Sequence, residues 1–285
     1  MSSQIESSER IEVSSFVYSG LENILEENYE AALSDFNKAL ESDDEKIIVL
    51  AYKARLLNKM DRNSEALEIW ETILKLDPDW DYAQLNKASS LVNMGENKMG
   101  ILALVQIVAN DPFGRYAVLA IMNQAIAEYN LENYEQAVKA CELVKESGEF
   151  DNVLRLWHTW VHSLYPIEDY DLVKFEQVIQ EGLKHFPDDL ELTKSLCICL
   201  NWQNKFRESL TLCDKVLDED PADVTTWLYK AQNLAELCDA DKAYEAFFVA
   251  ISIDRSNLKE NQKEGLSKSF LKLNDDRFQK LIDSV

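Results

Sequence analysis

The sequence predicts an all-α protein built as a stack of about seven helical hairpins with a closing helix, and three observations carry that expectation. Alanines recur thirty-four residues apart, each followed four places on by a large aromatic: Ala32 with Phe36, Ala66 with Trp70, and later Ala243 with Phe247 in the same setting. Prolines punctuate on the same period, Pro112 after Pro78 and Pro221 after Pro187. Only 7 Gly and 5 Pro stand among 285 residues that are 46% hydrophobic, a composition that suits a soluble helical chain.

Residues four apart share a helix face, so the alanine lets a neighbouring helix come close while the aromatic fills the gap beside it. One hairpin cannot bury its own apolar stripe, and the stack is therefore the folding unit. The expected domain runs from 13 to 257 as a single elongated repeat array, after a disordered tail over 1–12.

Residues 13–46 form the first pair, with Phe16 and Gly20 on one helix and Tyr29, Ala32, Phe36 and Ala39 around the other. Residues 47–80 repeat it through Ala54, Ala66 and Trp70, and Asp77-Pro78 ends the unit because proline cannot continue a helix and restricts the residue before it. A third unit, 81–114, carries Ala88, Gly100 and Leu104 and stops at Asp111-Pro112. Extra residues around Phe113 displace the fourth, 118–149, where Tyr134, Ala137 and Cys141 hold the pattern. The fifth, 150–189, diverges most: its helices read as LRLWHTWVHSLY and LVKFEQVIQEGLKHF. The sixth, 190–223, has Phe206, Ser209 and Cys213, and the seventh, 224–257, has Trp227, Ala231, Ala243, Phe247 and Ala250. Residues 258–285 read as a solvating cap helix, as terminal repeats require.

These positions resemble the tetratricopeptide repeat (TPR) family, whose pattern is W-x2-L-G-x2-Y, then A-x3-F, then P. The resemblance implies a right-handed superhelix of antiparallel pairs, with the first helix of each pair lining a concave groove that binds peptides or scaffolds an assembly. One subgroup of the family grips the C-terminal carboxylate of heat-shock chaperones with a basic clamp. Here the corresponding places hold Val17, Leu21, Tyr52, Tyr82 and Asn86, so that role is not expected.

With family geometry, the groove-facing places are Val17, Leu21 and Ile24 in the first unit, Tyr82, Leu85 and Val92 in the third, Leu119, Met122, Ile126 and Tyr129 in the fourth, and Trp157, Trp160 and Leu164 in the fifth. Arg55 and Lys59 add positive charge near one end. The expected partner-binding groove is thus Tyr82, Leu85, Met122, Ile126, Tyr129, Trp157, Trp160 and Leu164, an apolar lining for an extended or helical protein segment. A second candidate interface is Met99, Leu102 and Val105, where the outward places of a helix are apolar and call for a cover: this chain, a second copy in a homodimer, or a partner.

A net charge of −23 disfavours nucleic acid and anionic lipid, which need cationic surface, and leaves a basic protein client as an alternative partner met by the acidic outer helices. The polar start and the longest apolar stretch, Met99 to Val108, give neither a targeting signal nor a membrane span. Five cysteines without a CxxC motif suit a reducing compartment, the cytoplasm or equally the nucleus.

His158 and His162 share a helix face, yet Thr159 stands where a zinc protease needs glutamate, and no third ligand is evident. Cys197 and Cys199 point to different faces of one helix, and Cys141 and Cys213 read as small apolar fillers. No glycine-rich phosphate loop or GxSxG elbow occurs. Neither catalysis, a metal nor a cofactor is expected. The sequence reads as an adaptor or assembly subunit, or else an acidic assembly chaperone.

Overall fold

Apolar residues spaced three and four apart give each segment one face that must be covered and one that stays in water. The structure, a computed structural model describing residues 15–41, 46–114, 116–148, 150–167, 171–254, 260–273, 275 and 277, meets that need with helical hairpins, and no strand occurs among the described residues. The helices fall into two compact units, Met1–Phe150 and Asp151–Val285.

The first unit holds α1 (residues 15–25), α2 (Tyr29–Ala39), α3 (Lys46–Lys59), α4 (Asn63–Leu76), α5 (Asp81–Asn93), α6 (Asn97–Asn110), α7 (Ala117–Asn130) and α8 (Tyr134–Ser147). From α2 onward each packs on the next. The second unit holds α9 (Leu154–Leu164), α10 (Leu172–His185), α11 (Leu190–Trp202), α12 (Phe206–Glu219), α13 (Val224–Glu236), α14 (Ala240–Ile253) and α15 (Glu260–Leu271). There α9 to α14 pack in sequence and α15 covers α13. The tail over 1–12 lies outside the described residues, as does most of 274–285.

The small-and-large pairs are the joints. Ala32, Phe36, Ala66, Trp70, Ala243 and Phe247 are all fully buried. Gly20 shows how close the approach is, since a Cβ there would stand 2.6 Å from the Phe36 ring. Each proline stop works as the sequence implies: α4, α6, α10 and α12 end two residues before Pro78, Pro112, Pro187 and Pro221.

Within the hairpins the turn needs one residue in left-handed backbone. It falls on Glu27, Asp61, Glu132, Asn204 and Cys238, with φ from 60° to 62°, and on Gly95 at 83°.

The two units start their helices differently. In the first, the N-caps Asn28, Arg62, Trp80, Glu96, Tyr116 and Asn133 make no side-chain capping bond. In the second, Val153 and Lys205 likewise make none, whereas Asp171, Asp189, Asp223 and Asp239 each accept from a first-turn N–H, so orphan donors there are met by carboxylates that also favour the positive helix end.

Candidate functional site

In the first unit α3, α5 and α7 touch one another in sequence as well as their own hairpin partners, which makes them the inner layer of that unit. Their inner side chains form a strip of rings and aliphatic groups. Phe36 and Tyr52 stack at 6.0 Å. Tyr82 meets Trp70 edge-on at 6.0 Å, Trp80 at 5.7 Å and Tyr116 at 5.9 Å. Burial pushes the Tyr82 phenol upward, and the positive charge of Arg55 opposes it, so the guanidinium lies within electrostatic reach of that ring. Met122 and Tyr129 are half-buried, Leu119 and Ile48 are exposed, and Lys59 sits 5.0 Å above the Tyr29 ring.

Five of the eight expected groove residues are buried among the chain's own helices. Leu85 and Ile126 are turned into the seams between α5, α7 and their neighbours, at 5% and 8% exposure. In the second unit Trp157 and Trp160 stack at 5.9 Å, and Trp157 lies against His185 at 5.8 Å and against Gly182, where a Cβ would be only 3.2 Å from its ring. Leu164 is buried too. The reason is rotational: α9 packs on both α10 and α11, so its widest apolar face is spent on them. What remains at least partly accessible of the expected groove places is Tyr82, Met122, Tyr129 and Leu119, and in the first unit's first repeat Val17, Leu21 and Ile24. Ile48, at the second place of the second unit, belongs to the same strip and could have been found by the same place-counting.

The accessible face of α9 is polar instead. His158 and His162 stack at 6.1 Å, His158 Nε2 lies 2.9 Å from Asp189 Oδ1, and His162 Nε2 lies 3.2 Å from Glu191 Oε1. Lys194 continues the row by pairing with Glu191 and with Asp223. The hydrogen bond from His162 holds the Glu191 carboxyl down at about 2, against the desolvation that opposes it. Sequence reasoning missed this ridge; its signal was the pair of acids Asp189 and Glu191 opening a helix one repeat after the histidines. Among the described residues no group of three or more His, Cys, Asp or Glu is arranged to hold a metal ion.

The second candidate interface is open to solvent. Met99, Leu102 and Val105 on α6 are 58%, 74% and 45% exposed, while Gly100, Leu104 and Ile107 on the same helix face the core. Phe113 just beyond is almost wholly exposed. α6 contains one lysine and no carboxylate. Among the described residues no helix is long and apolar enough to cross a membrane.

No family model matches the chain. Solved structures do. The chain is similar to the structure of Pseudomonas aeruginosa pilF, with a TM-score of 0.65 at 14% identity over 79% of this chain and 99% of that one. It is similar to PilW, described as a widely conserved type IV pilus biogenesis factor, with a TM-score of 0.63 at 12% identity over 73% and 94%. A tetratricopeptide repeat protein from Parabacteroides merdae ATCC 43184 aligns with a TM-score of 0.57 at 14% identity over 90% and 98%. At these identities the likeness shows the fold, and the fold is that of the tetratricopeptide repeat proteins.

Proposed function

We propose that this chain of TPR-type hairpins is a non-catalytic protein–protein interaction adaptor, and that it holds an extended or helical partner segment against the inner face of its first unit. The observation that carries this reading is the accessible strip of Ile48, Tyr82, Leu119 and Met122, apolar side chains left partly or largely in water on a chain of net charge −23. Arg55 beside Tyr82 suits it to a segment that carries an acidic residue among apolar ones.

The test is capture from native extract by wild-type protein and by Met122→Glu. Met122 is half-buried and faces the strip, so the change puts a charge where the segment would lie without emptying the core. Partners identified with wild type should be lost with the variant and kept by a control altered on the outer helices, such as Glu65→Gln. Partners that survive Met122→Glu at unchanged helical circular dichroism overturn the assignment.

A second reading, masking of a basic client, has its support in the exposed carboxylates of the outer helices, among them Glu65, Glu68 and Glu71 on α4. The same capture separates the two. Charge-driven binding falls steeply as salt rises, whereas binding to the apolar strip changes little.

The stripe on α6 is a further contact surface in this proposal, and its occupant is a second copy of the chain. Two strongly acidic molecules can approach through a face that carries no carboxylate, and α6 is such a face. A single helix offers less than the ~800 Å² per partner of a standard interface, so the pairing is weak.

A further inference from the structure

The centre of the second unit holds two thiols in contact. Cys197 on α11 and Cys213 on α12 bring their sulfur atoms to 2.8 Å, and both residues are essentially solvent-free. Each points into the seam between its own helix and the other. The remaining cysteines are elsewhere: Cys141 is in the first unit, Cys199 is turned toward the Leu172 carbonyl at 3.6 Å, and Cys238 is exposed on a turn.

Counting within the repeat explains the meeting. Cys197 and Cys213 are 16 residues apart, the separation of Gly20 and Phe36, which touch across the first hairpin. Where the first, second and seventh repeats oppose a small residue to an aromatic, Gly20 to Phe36, Ala54 to Trp70 and Ala231 to Phe247, this one opposes two thiols. Taken singly, Cys213 reads as a small filler; the partner appears only when the place sixteen earlier is read with it.

We infer that Cys197 and Cys213 form a redox-sensitive modification site, closing to an intrachain disulfide under a hydroperoxide oxidant and reopening under a thiol reductant. The sulfurs need to approach by less than an ångström to reach the ~2.05 Å bond length. The surroundings tolerate the change. Ser209 Oγ donates to the Cys197 carbonyl at 2.8 Å, Asn233 Nδ2 donates to Ser209 at 2.7 Å, and Asn201 Nδ2 donates to Asn233 Oδ1 at 2.8 Å. None of these bonds depends on a thiol proton, so losing both protons leaves no member of the network without its partner.

The chemistry divides between the two residues. Hydrogen bonding from Cys213 favours the Cys197 thiolate against its burial, whereas Cys213 itself is pushed upward. Cys197 is therefore the attacking sulfur. Its thiolate takes the terminal oxygen of the peroxide, the O–O bond breaks and hydroxide leaves, giving a sulfenic acid. Cys213 then attacks that sulfur, the S–O bond breaks and the oxygen departs as water once protonated. In sum two thiols and one hydrogen peroxide give one disulfide and two waters. Because both sulfurs are buried, the first step waits on local opening of the α11–α12 hairpin and is slow beside oxidation of an exposed thiol.

The experiment is treatment of the full chain with hydrogen peroxide, followed by intact mass, thiol titration in denaturant and peptide mapping, with no substitution needed. The expected result is a loss of about 2 Da, a fall from four titratable thiols to two once Cys238, one of the five cysteines, is blocked, and one cross-linked peptide joining Cys197 to Cys213 that dithiothreitol releases. Cys238 is blocked beforehand with a mild alkylating agent in the native state and counted separately. Cys199→Ala should keep the cross-link, and Cys213→Ser should lose it and leave Cys197 as sulfenic or sulfinic acid. Three outcomes overturn the inference: all buried thiols intact after peroxide has fully oxidised unblocked Cys238, a disulfide that joins other cysteines, or Cys197 carried to sulfinic acid in the wild-type chain without any link to Cys213.

Discussion

The two units build the same hairpins and both use rings and polar ties, for Asn130 donates to Asn97 in the first and Tyr165 meets Trp202 edge-on in the second, yet they lean on them differently. In the first, successive repeats meet through rings: Phe36 on Tyr52, Trp70 on Tyr82, Tyr82 on Tyr116. The six N-caps described there make no side-chain capping bond. In the second, successive first helices are tied by polar groups, His158 to Asp189 and Lys194 to Asp223, and both of those aspartates also cap the helix they open. Asn201 and Asn233 bond each other in full burial. The lesson is that the repeat constrains where a contact falls and how large it can be, while its chemistry is open. A ring-built unit should depend on volume, and a polar-built unit on protonation.

The largest test compares one repeat place across the units. Trp70 and Cys213 both fill the large-residue place and both are fully buried. Trp70→Ala should cost about 3–5 kcal/mol and Cys213→Ala about 1 kcal/mol, read from urea unfolding by far-ultraviolet circular dichroism. Equal losses would mean that the two joints carry the same load and that the contrast is superficial.

A smaller effect concerns acid. The Glu191 carboxyl is depressed to about 2 from its ordinary 4.5, so its pairing stabilises the fold above the unfolded value and is lost as pH falls from about 4.5 towards 2. With the side chain 42% exposed, solvent screening keeps the contribution under about 1 kcal/mol. Glu191→Gln should lower stability by up to that amount at neutral pH, flatten the acid limb between about 4.5 and 2, and converge on wild type below it. A curve that stays parallel to wild type through that window removes the ion row from the account of the second unit.

The smallest effect on stability belongs to the exposed stripe. Leu102→Glu should stay within about 0.5 kcal/mol of wild type, because the side chain is already largely in water. It should nevertheless abolish the rise in sedimentation coefficient with concentration that the proposed pairing predicts for wild type. A wild-type chain that stays monomeric at high concentration sinks the proposed pairing through α6.

The hairpins could be read from the sequence because their signals are local: a period, a small residue opposite a large one, a proline after a helix end. The fifth pair shows how robust such signals are. Its motif is the weakest, yet α9 and α10 stand where the apolar pattern puts them, over Leu154–Leu164 and Leu172–His185. The lining of the inner face was less legible, because it depends on how far each helix is rotated about its axis. A modest turn of α9 converts Trp157 and Trp160 from lining to core and brings His158 and His162 outward. Periodicity fixes which residues share a face and leaves open which neighbour that face meets. The thiol pair lay between these cases, written in the spacing of the repeat and visible only when two places are read together.

The turns inside the hairpins have a consequence of their own. They hold Glu27, Asp61, Glu132, Asn204 and Cys238 in a backbone region that disfavours residues with a Cβ, at a cost of roughly 1 kcal/mol each. Glycine would sit there without strain, as it does at Gly95. The chain thus carries unspent robustness at five corners, and a lineage moved to a hotter habitat could gain it one codon at a time.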